Sequence, residues 1–385
     1  MEASRFIARK LHFKGKIAVV SIAISFLVMI LAVSISAGFR REIHQGIRSI
    51  CGDIQLMPVD MNVLNEDEPV SAHPSYWEKI DSLPAVRAIT PVIWRSGIVK
   101  DGPGISGVLF KGIPSQDTVA LQCSIPRQLS RELNLGVGDA LTAYFVGQRV
   151  KVRKFTIREV YDGILDGTGN QVIYVRDTDL RRVSNWDEDA CSALEITVEG
   201  TGTAALERVT QDVGEIALLY TSDEEDTLIA QSCVSRYPQL FDWLNLLDFN
   251  VWVILILMTV VAGFNMVSGL LILLFRSIST IGTLKSLGMT DRAIGKVFLR
   301  VSSRLVLKGM AIGNGLALLF CLVQGTWHLI KLNPVNYFVS WVPVHVNLPL
   351  ILLADLVAYG AIMLILLIPT LFIARVDPAK TVRTA

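Results

Sequence analysis

Two uncharged apolar runs, Ile17 to Ala37 and Val251 to Phe275, stand about two hundred residues apart with a polar, mixed sequence between them. Each is long enough to cross a ~30 Å hydrocarbon layer at ~1.5 Å per helical residue. Two more apolar stretches, Leu305 to Ile330 and Leu348 to Ile373, close the chain. In 385 residues that are 51% hydrophobic, this layout predicts a membrane protein with four transmembrane helices and one α+β domain inserted between helices 1 and 2. The inserted part is large enough to bury its own core. The expected division is 1–16 N-terminus, 17–37 span one, 38–250 domain with helical stalks and 251–275 span two. Then follow 276–304 loop, 305–330 span three, 331–347 loop, 348–373 span four and 374–385 C-terminus.

The loops set an orientation. Arg5, Arg9, Lys10, Lys14 and Lys16 precede span one. Arg276, Lys285, Arg292, Lys296, Arg300 and Arg304, against Asp291 alone, join spans two and three. Arg375, Lys380 and Arg383 follow span four, whereas the loop between spans three and four offers only Lys331. Basic loops stay on the cytoplasmic side, so both termini are expected there and the large domain on the opposite face. Span one is longer than a signal-peptide core and is read as retained. Lys308 in span three and Asp355 in span four lie near span ends, where snorkelling is the expected reading and a buried polar contact the alternative.

Net charge is +1, so nothing points to nucleic acid as a partner. Catalytic signatures are missing: there is no Gly-x-x-x-x-Gly-Lys-Ser/Thr, no His-Glu-x-x-His and no Gly-x-Ser-x-Gly. The histidines are scattered, with His44 and His73 read as surface residues, and no catalytic or metal site is assigned. Cys51, Cys123, Cys191 and Cys233 fall in the domain; in an oxidising compartment they allow two disulfides with three pairings, or stay as buried thiols.

Within the domain, Val/Ile/Thr/Tyr-rich segments bounded by Gly, Pro and Asp predict strands at Asp53–Met57, Val86–Ile93, Ser106–Lys111, Ala140–Val146, Arg149–Tyr161, Gln171–Val175 and Ala193–Val198. Helices are expected at Pro74–Leu83, Pro126–Leu135, Thr178–Ser184 and Thr203–Ile216, and a long amphipathic one from Asp223 to Phe249. A split into two subdomains is expected near Gly112 to Gln122, and Asn62 to Pro69 reads as an acidic surface loop.

The most informative segment follows span two. Apolar residues recur at Ile278, Ile281, Leu284 and Leu287, one stripe on a short helix. Gly288 is a C-cap candidate and Thr290-Asp291 an N-cap for the next helix. Such a helix can lie in the headgroups or dock in a groove of a cytoplasmic partner. In span three, Gly309 and Gly313 are spaced for a close helix contact.

Phe264-Asn265, then Ile281-Gly282-x-Leu284-Lys285-x-Leu287-Gly288, then Phe298 and Gly309-x-x-x-Gly313-x-Gly315, and finally Ala374-Arg375-x-x-Pro378-Ala379 make a series over most of the chain. Lys111-Gly112-Ile113, Leu129 to Asp139, Phe155 to Val160 and Val172 to Val175 extend it through the domain. The series resembles permeases of the type VII ABC transporters, the MacB and FtsX superfamily. Tyr337-Phe338 and Val342-Pro343-Val344 look most like the lipoprotein-releasing (LolC/LolE-like) branch. The resemblance implies a permease subunit without a cofactor of its own. It would work with two copies of a separate ABC ATPase that carries ATP and Mg, and with a second permease copy or paralogue. A lipoprotein would be the substrate, membrane lipids would surround it, and a periplasmic lipoprotein carrier would be a further partner. Ile278, Ile281, Gly282, Leu284, Lys285, Leu287 and Gly288 would form the ATPase-coupling element, the stripe making the contact and Lys285 reaching a carboxylate. Motion would pass to the domain by mechanotransmission, and Phe26, Met29, Phe264 and Met266 would cradle acyl chains. An FtsX-like regulator of a cell-wall hydrolase and a MacB-like exporter component are the alternatives. Two departures stand out. Thr280 occupies a position often acidic in the family, and the strands around Gly147-Gln148 are joined by a tight hairpin that leaves little room for a carrier-capturing loop.

Overall fold

A computed structural model of the chain describes residues 16–59, 69–101, 104–114, 120–147, 149–163, 171–200, 202–223 and 225–370. The basic N-terminus before Lys16, most of the acidic loop 62–69 and the C-terminal motif from Ala374 lie outside them. In chain order the elements are helix α1 (Lys16–Cys51), β1 (Ile54–Pro58), β2 (Val70–Ser71), α2 (Trp77–Asp81), β3 (Val86–Asp101), β4 (Gly104–Ile113), β5 (Gln122–Pro126) and α3 (Arg127–Leu133). Then come β6 (Ala140–Phe145), β7 (Lys151–Tyr161), β8 (Val172–Arg176), α4 (Asp177–Ser184), β9 (Ala190–Cys191), β10 (Ala193–Val198), α5 (Thr203–Tyr220), β11 (Leu228–Ser232) and α6 (Cys233–Arg236). The last of the described elements are α7 (Pro238–Arg276), α8 (Ile278–Ser286), α9 (Asp291–Trp327), α10 (Pro334–Tyr337), α11 (Leu348–Ile365) and α12 (Leu367–Thr370). These elements form two compact units, one from the described residues of 1–41, 243–330 and 342–385, the other from those of 42–242 and 331–341.

Among the described residues, the helical unit contains four helices long and apolar enough to span a membrane: α1, α7, α9 and the α11–α12 stretch. Helix α1 is the hub. Within its most apolar window 44% of residues are buried, against 22–28% for the other three. Ile22, Phe26 and Met29 of α1 share one core with Ala262, Met266 and Leu270 of α7, Phe298 and Val306 of α9, and Ala358 and Ile362 of α11. Glycine makes this density attainable. A Cβ on Gly309 would strike Ile22 Cγ2 at 2.6 Å, and one on Gly313 would strike Phe26 Cβ at 2.9 Å and the Ala23 carbonyl. Small residues let helix backbones approach where a side chain would hold them apart. Polar contacts inside the bundle pair off: Ser303 with Tyr359 at 2.8 Å, Asn265 with Ser21, and Asn314 Nδ2 donating to Asp355 Oδ2 at 2.5 Å. Asp355 is therefore a buried interhelical contact and does not snorkel, whereas Lys308 is exposed. The third span begins as one helix at Asp291 and stops at Trp327, three residues short of the expected Ile330, where His328 takes φ +46°.

In the second unit nine strands run in the order β11-β1-β10-β3-β4-β8-β5-β7-β6, and an extra β3–β6 pairing closes the last six into a barrel. Parallel pairs β4–β8 and β5–β7 sit among antiparallel ones. Strand β3 belongs to both layers. Val86 to Val92 pairs with β10, and Ile93 to Asp101 pairs with β4. The subdomain boundary therefore falls inside β3, not at the expected 112–122, of which 115–119 lie outside the described residues. Phe110, Phe145 and Phe155 fill the barrel, with ring centroids 4.8 and 5.8 Å apart. Such tilted aromatic contacts bury large areas in favourable geometry.

Three further expectations are corrected. The predicted helix from Asp223 to Phe249 contains β11, which pairs with β1 over Ile54↔Ser232 to Pro58↔Leu228, and a four-residue helix before α7 starts at Pro238. The helix expected over Pro126–Leu135 runs from Arg127 to Leu133, and Gln122 to Pro126 before it is strand β5, which was not expected. The β6–β7 ladder ends at Phe145↔Lys151, so residues 146–150 form a longer connection than the expected tight hairpin; Gln148 lies outside the described residues.

Candidate functional site

Helix α7 ends at Arg276, and Ser277 turns the chain into α8 with φ −106°. The Ser277 amide still bonds Leu273 O at 3.0 Å, and Ile281 N already bonds Ser277 O at 2.9 Å, so α8 is set on α7 through a single buried residue. At its other end Gly288, at φ +86°, donates to Lys285 O at 2.9 Å, and Met289 donates to Leu284 O at 3.0 Å. This pair of bonds is a Schellman cap, which needs a left-handed residue at Gly288 and brings the flanking apolar residues together. Leu284 and Met289 both pack on the helical core. Thr290 sits at the N-cap of α9 but its side chain caps nothing. Lys285 Nζ instead meets Asp291 Oδ1 at 2.8 Å, closing the loop from within.

The stripe faces the chain's own helices. Ile281 is 1% exposed and shares the core with Ile294, Val297 and Phe298; Gly282 is buried, and Ile278 and Leu284 are half-buried. Leu287 alone of the apolar set projects, at 78% exposure, beside exposed Ser279, Thr280, Thr283, Ser286, Gly288, Arg276 and Arg292. The surface presented outward is thus hydroxyl-rich and basic with one leucine knob. Of the expected coupling residues, Ile281 thus faces the chain's own core, and Lys285, expected to reach a carboxylate, meets that of Asp291 in the same chain. The four cradle residues share no face either. Phe26, Met29 and Met266 are 0–2% exposed inside the core, and Phe264 is 67% exposed. Gly309 and Gly313 lie at the α1–α9 contact.

A second arrangement, which sequence reasoning left as part of a resemblance, surrounds the end of α1. Lys111 on β4 is 2% exposed, and its ammonium donates to Ser49 O at 3.2 Å, Ile50 O at 2.6 Å and Glu195 Oε2 of β10 at 2.7 Å. The last carbonyls of a helix lack intrahelical partners and carry partial negative charge, so a cation there serves as both cap and counter-charge. Burial pushes the Glu195 carboxyl up to about 7, against the pull of Lys111. Asp53 accepts from Arg48 at 2.7 Å and from Val198 N at 2.7 Å, and burial raises its carboxyl too. Among the described residues no three His, Cys, Asp or Glu side chains assemble as a metal-holding group.

Four apolar helices, with an α+β domain inserted after the first and a short capped helix after the second, define a membrane permease. The family model of the MacB-like periplasmic core domain matches residues 17–216, more than half of the chain, and that of the FtsX-like permease C-terminal matches residues 252–378. The chain belongs to this MacB/FtsX-like permease family. It is similar to the lipoprotein-releasing system transmembrane protein LolE of Haemophilus influenzae, 22% identical over 95% of this chain and 93% of that one. It is also similar to the lipoprotein-releasing system transmembrane protein LolC of Neisseria meningitidis serogroup B, 19% identical over 97% and 94%. Among solved structures, the periplasmic region of MacB from Actinobacillus actinomycetemcomitans aligns with 52% of this chain and 97% of its own, at 11% identity and TM-score 0.32. The extracellular domain of the ABC-type transporter YknZ from Gram-positive bacteria aligns with 46% and 98%, at 13% identity and TM-score 0.30.

Proposed function

We propose that the chain is the membrane subunit of an ATP-driven ABC transporter that extracts lipoproteins from the cytoplasmic membrane for delivery to the outer membrane. The observation that carries this reading is the similarity to two lipoprotein-releasing transmembrane proteins along nearly their whole length. Both termini and the α8 loop face the cytoplasm and the inserted domain faces the periplasm, an orientation supported by the basic loops. ATP and Mg are held by two copies of a separate ATPase, and this subunit pairs with a second copy or a paralogue.

Helix α8 is the coupling element, working in a way its packing suggests. Its apolar stripe fixes it to α7 and α9, so it moves with them, while Leu287 and the surrounding hydroxyls seat in the ATPase. Closure of the ATPase pushes α7 and α9, and α9 carries α1 through the Gly309 and Gly313 contact. Because α1 is one helix from Lys16 to Cys51, its displacement is delivered at the Lys111 cap. The stroke works from the outer side and needs no path through the bundle.

The test is affinity capture of the full chain in mild detergent with mass spectrometry of proteins and lipidated species. Recovery of an ABC ATPase together with acylated lipoproteins is expected. Recovery of the ATPase with a peptidoglycan hydrolase and no lipoprotein would replace this reading with a regulatory one, and absence of any ATPase would remove the mechanism.

A further inference from the structure

The inward stripe of α11 is Ile351, Asp355, Ala358 and Ile362. Three of the four are apolar and pack in the helical cores. The fourth is a carboxyl at 5% exposure, about two turns in from Leu348 at ~3.6 residues per turn. On α9, Asn314 follows buried Gly313 and lies one turn before buried Ala317. Its Nδ2 donates to Asp355 Oδ2 at 2.5 Å and ties the two helices together.

The second oxygen of each fork is left over. Asp355 Oδ1 and Asn314 Oδ1 are both fully covered, and neither has a hydrogen-bond partner. Among the described residues Asn314 is the one side chain that bonds Asp355, and no charged group acts on it. Orphaned buried polar atoms are rare enough in native proteins to need a cause.

An ionised carboxylate only accepts, and away from water it needs several donors or a counter-charge. Here it would have one amide N–H inside a membrane-spanning bundle, where an uncompensated charge is most costly. A neutral acid differs: it keeps one accepting oxygen and turns the other into a donor. The acceptor then in want of a donor is Asn314 Oδ1, the other half of the same carboxamide. The two orphans become each other's partners, with no further group required. A metal cation is the other ligand that orphan oxygens can take. Hard cations are held by about six oxygens, and the α11 stripe supplies only the carboxyl.

We propose that Asp355 is a proton-binding site within the bundle: the neutral acid donates from Oδ1 to Asn314 Oδ1 while its Oδ2 accepts from Asn314 Nδ2, clasping spans three and four. The ligand is one proton taken from water, and its charge cancels that of the carboxylate. Two bonds at one point fix the rotation of α11 against α9, which a single bond does not. Without the proton, Oδ1 becomes a second acceptor against the amide oxygen, so the clasp holds only while the acid is neutral.

The experiment uses the full chain in lipid nanodiscs at neutral pH. Infrared difference spectra between the parent and Asp355→Asn are expected to show one protonated-carboxyl C=O band that the variant lacks. In Asn314→Leu the band is expected to remain and to move to higher frequency, because its partner is gone. The thermal midpoint of Asp355→Asn, whose amide can make the same two bonds, is expected to match the parent, and that of Asp355→Leu to fall by several degrees. A carboxylate band in place of the acid band overturns the proposal, and its sensitivity to sodium would make a cation the ligand. An acid band that Asn314→Leu leaves unmoved, or an Asp355→Asn midpoint as low as that of Asp355→Leu, overturns the clasp.

Discussion

Replacing Lys111 by Met removes a buried cation that caps α1 and neutralises Glu195, while keeping the length and apolar stem of the side chain. Three acceptors lose their donor: the carbonyls of Ser49 and Ile50 and the Glu195 carboxylate. Breaking one side of a buried ion pair costs about 3–5 kcal/mol, which at about 1.4 kcal/mol per tenfold is roughly a hundred- to several-thousandfold change in local opening. Hydrogen–deuterium exchange over residues 47–54 reports it directly, because Gly52 N bonds Arg48 O at 2.9 Å and Asp53 N bonds Ile196 O at 3.0 Å. The double variant Lys111→Met with Glu195→Leu is expected to return to within about tenfold of the parent, since an apolar pair of similar size replaces a buried ion pair at little cost. The pH dependence has a definite sign. Glu195 lies above its ordinary 4.5, at about 7, so in the parent its burial cost grows from about pH 4.5 to pH 7 and is constant above. Without Lys111 the carboxyl moves higher still, so the deficit of the single variant is small at pH 5 and widens at pH 8. Unchanged exchange in Lys111→Met would refute the cap, and a double variant that exchanges as fast as the single one would refute the unpaired Glu195 carboxylate as the main cost.

Gly313→Leu is expected to lower the thermal aggregation midpoint of the solubilised chain by several degrees, because its side chain would start against α1, whereas Gly315→Leu, with nothing within 4 Å of its Cβ position, is expected to leave it unchanged. Gly288→Val forces a β-branched residue into φ +86° at a cost of about 1–2 kcal/mol, read as faster amide exchange over residues 284–290 with the spans unaffected. Leu287→Asp is expected to abolish co-purification of the ATPase at unchanged thermal stability, and Ile281→Asp to lower the stability of the permease itself; equal effects of the two on stability would refute the assignment of inner and outer faces of α8.

Much of the architecture was legible because its signals are local. An uncharged run from Ile17 to Ala37 states its own length, and Gly309 and Gly313 lie four apart on one helix face. The left-handed need at Gly288 is likewise written within one turn of chain. What was not legible depends on partners far away in sequence. Leu228 to Ser232 reads as helix until β1, 170 or more residues earlier, offers it an edge. Ile278, Ile281 and Leu284 announce a stripe, but periodicity is silent on whether a stripe faces lipid, a partner or the chain's own α9. Asp355 near a span end looks free to reach water, and only Asn314 on another helix makes burial the better solution.

The Lys111 cap belongs to the same class and shows why the limit is physical. No spacing rule connects Ser49, Lys111 and Glu195, which come from a helix and two different strands. Lys111 alone, in a strand of alternating character, reads as a surface residue, since an isolated buried ammonium is costly to desolvate. It becomes affordable only when a helix ends against it and a carboxylate lies across it, both consequences of the completed fold. An ion held in that way cannot relax into water if α1 shifts, so the junction resists sliding of the helix end more than an apolar contact of equal area would. The end of α1 is thus held by an ammonium fixed on its Ile50 carbonyl, a contact that resists displacement.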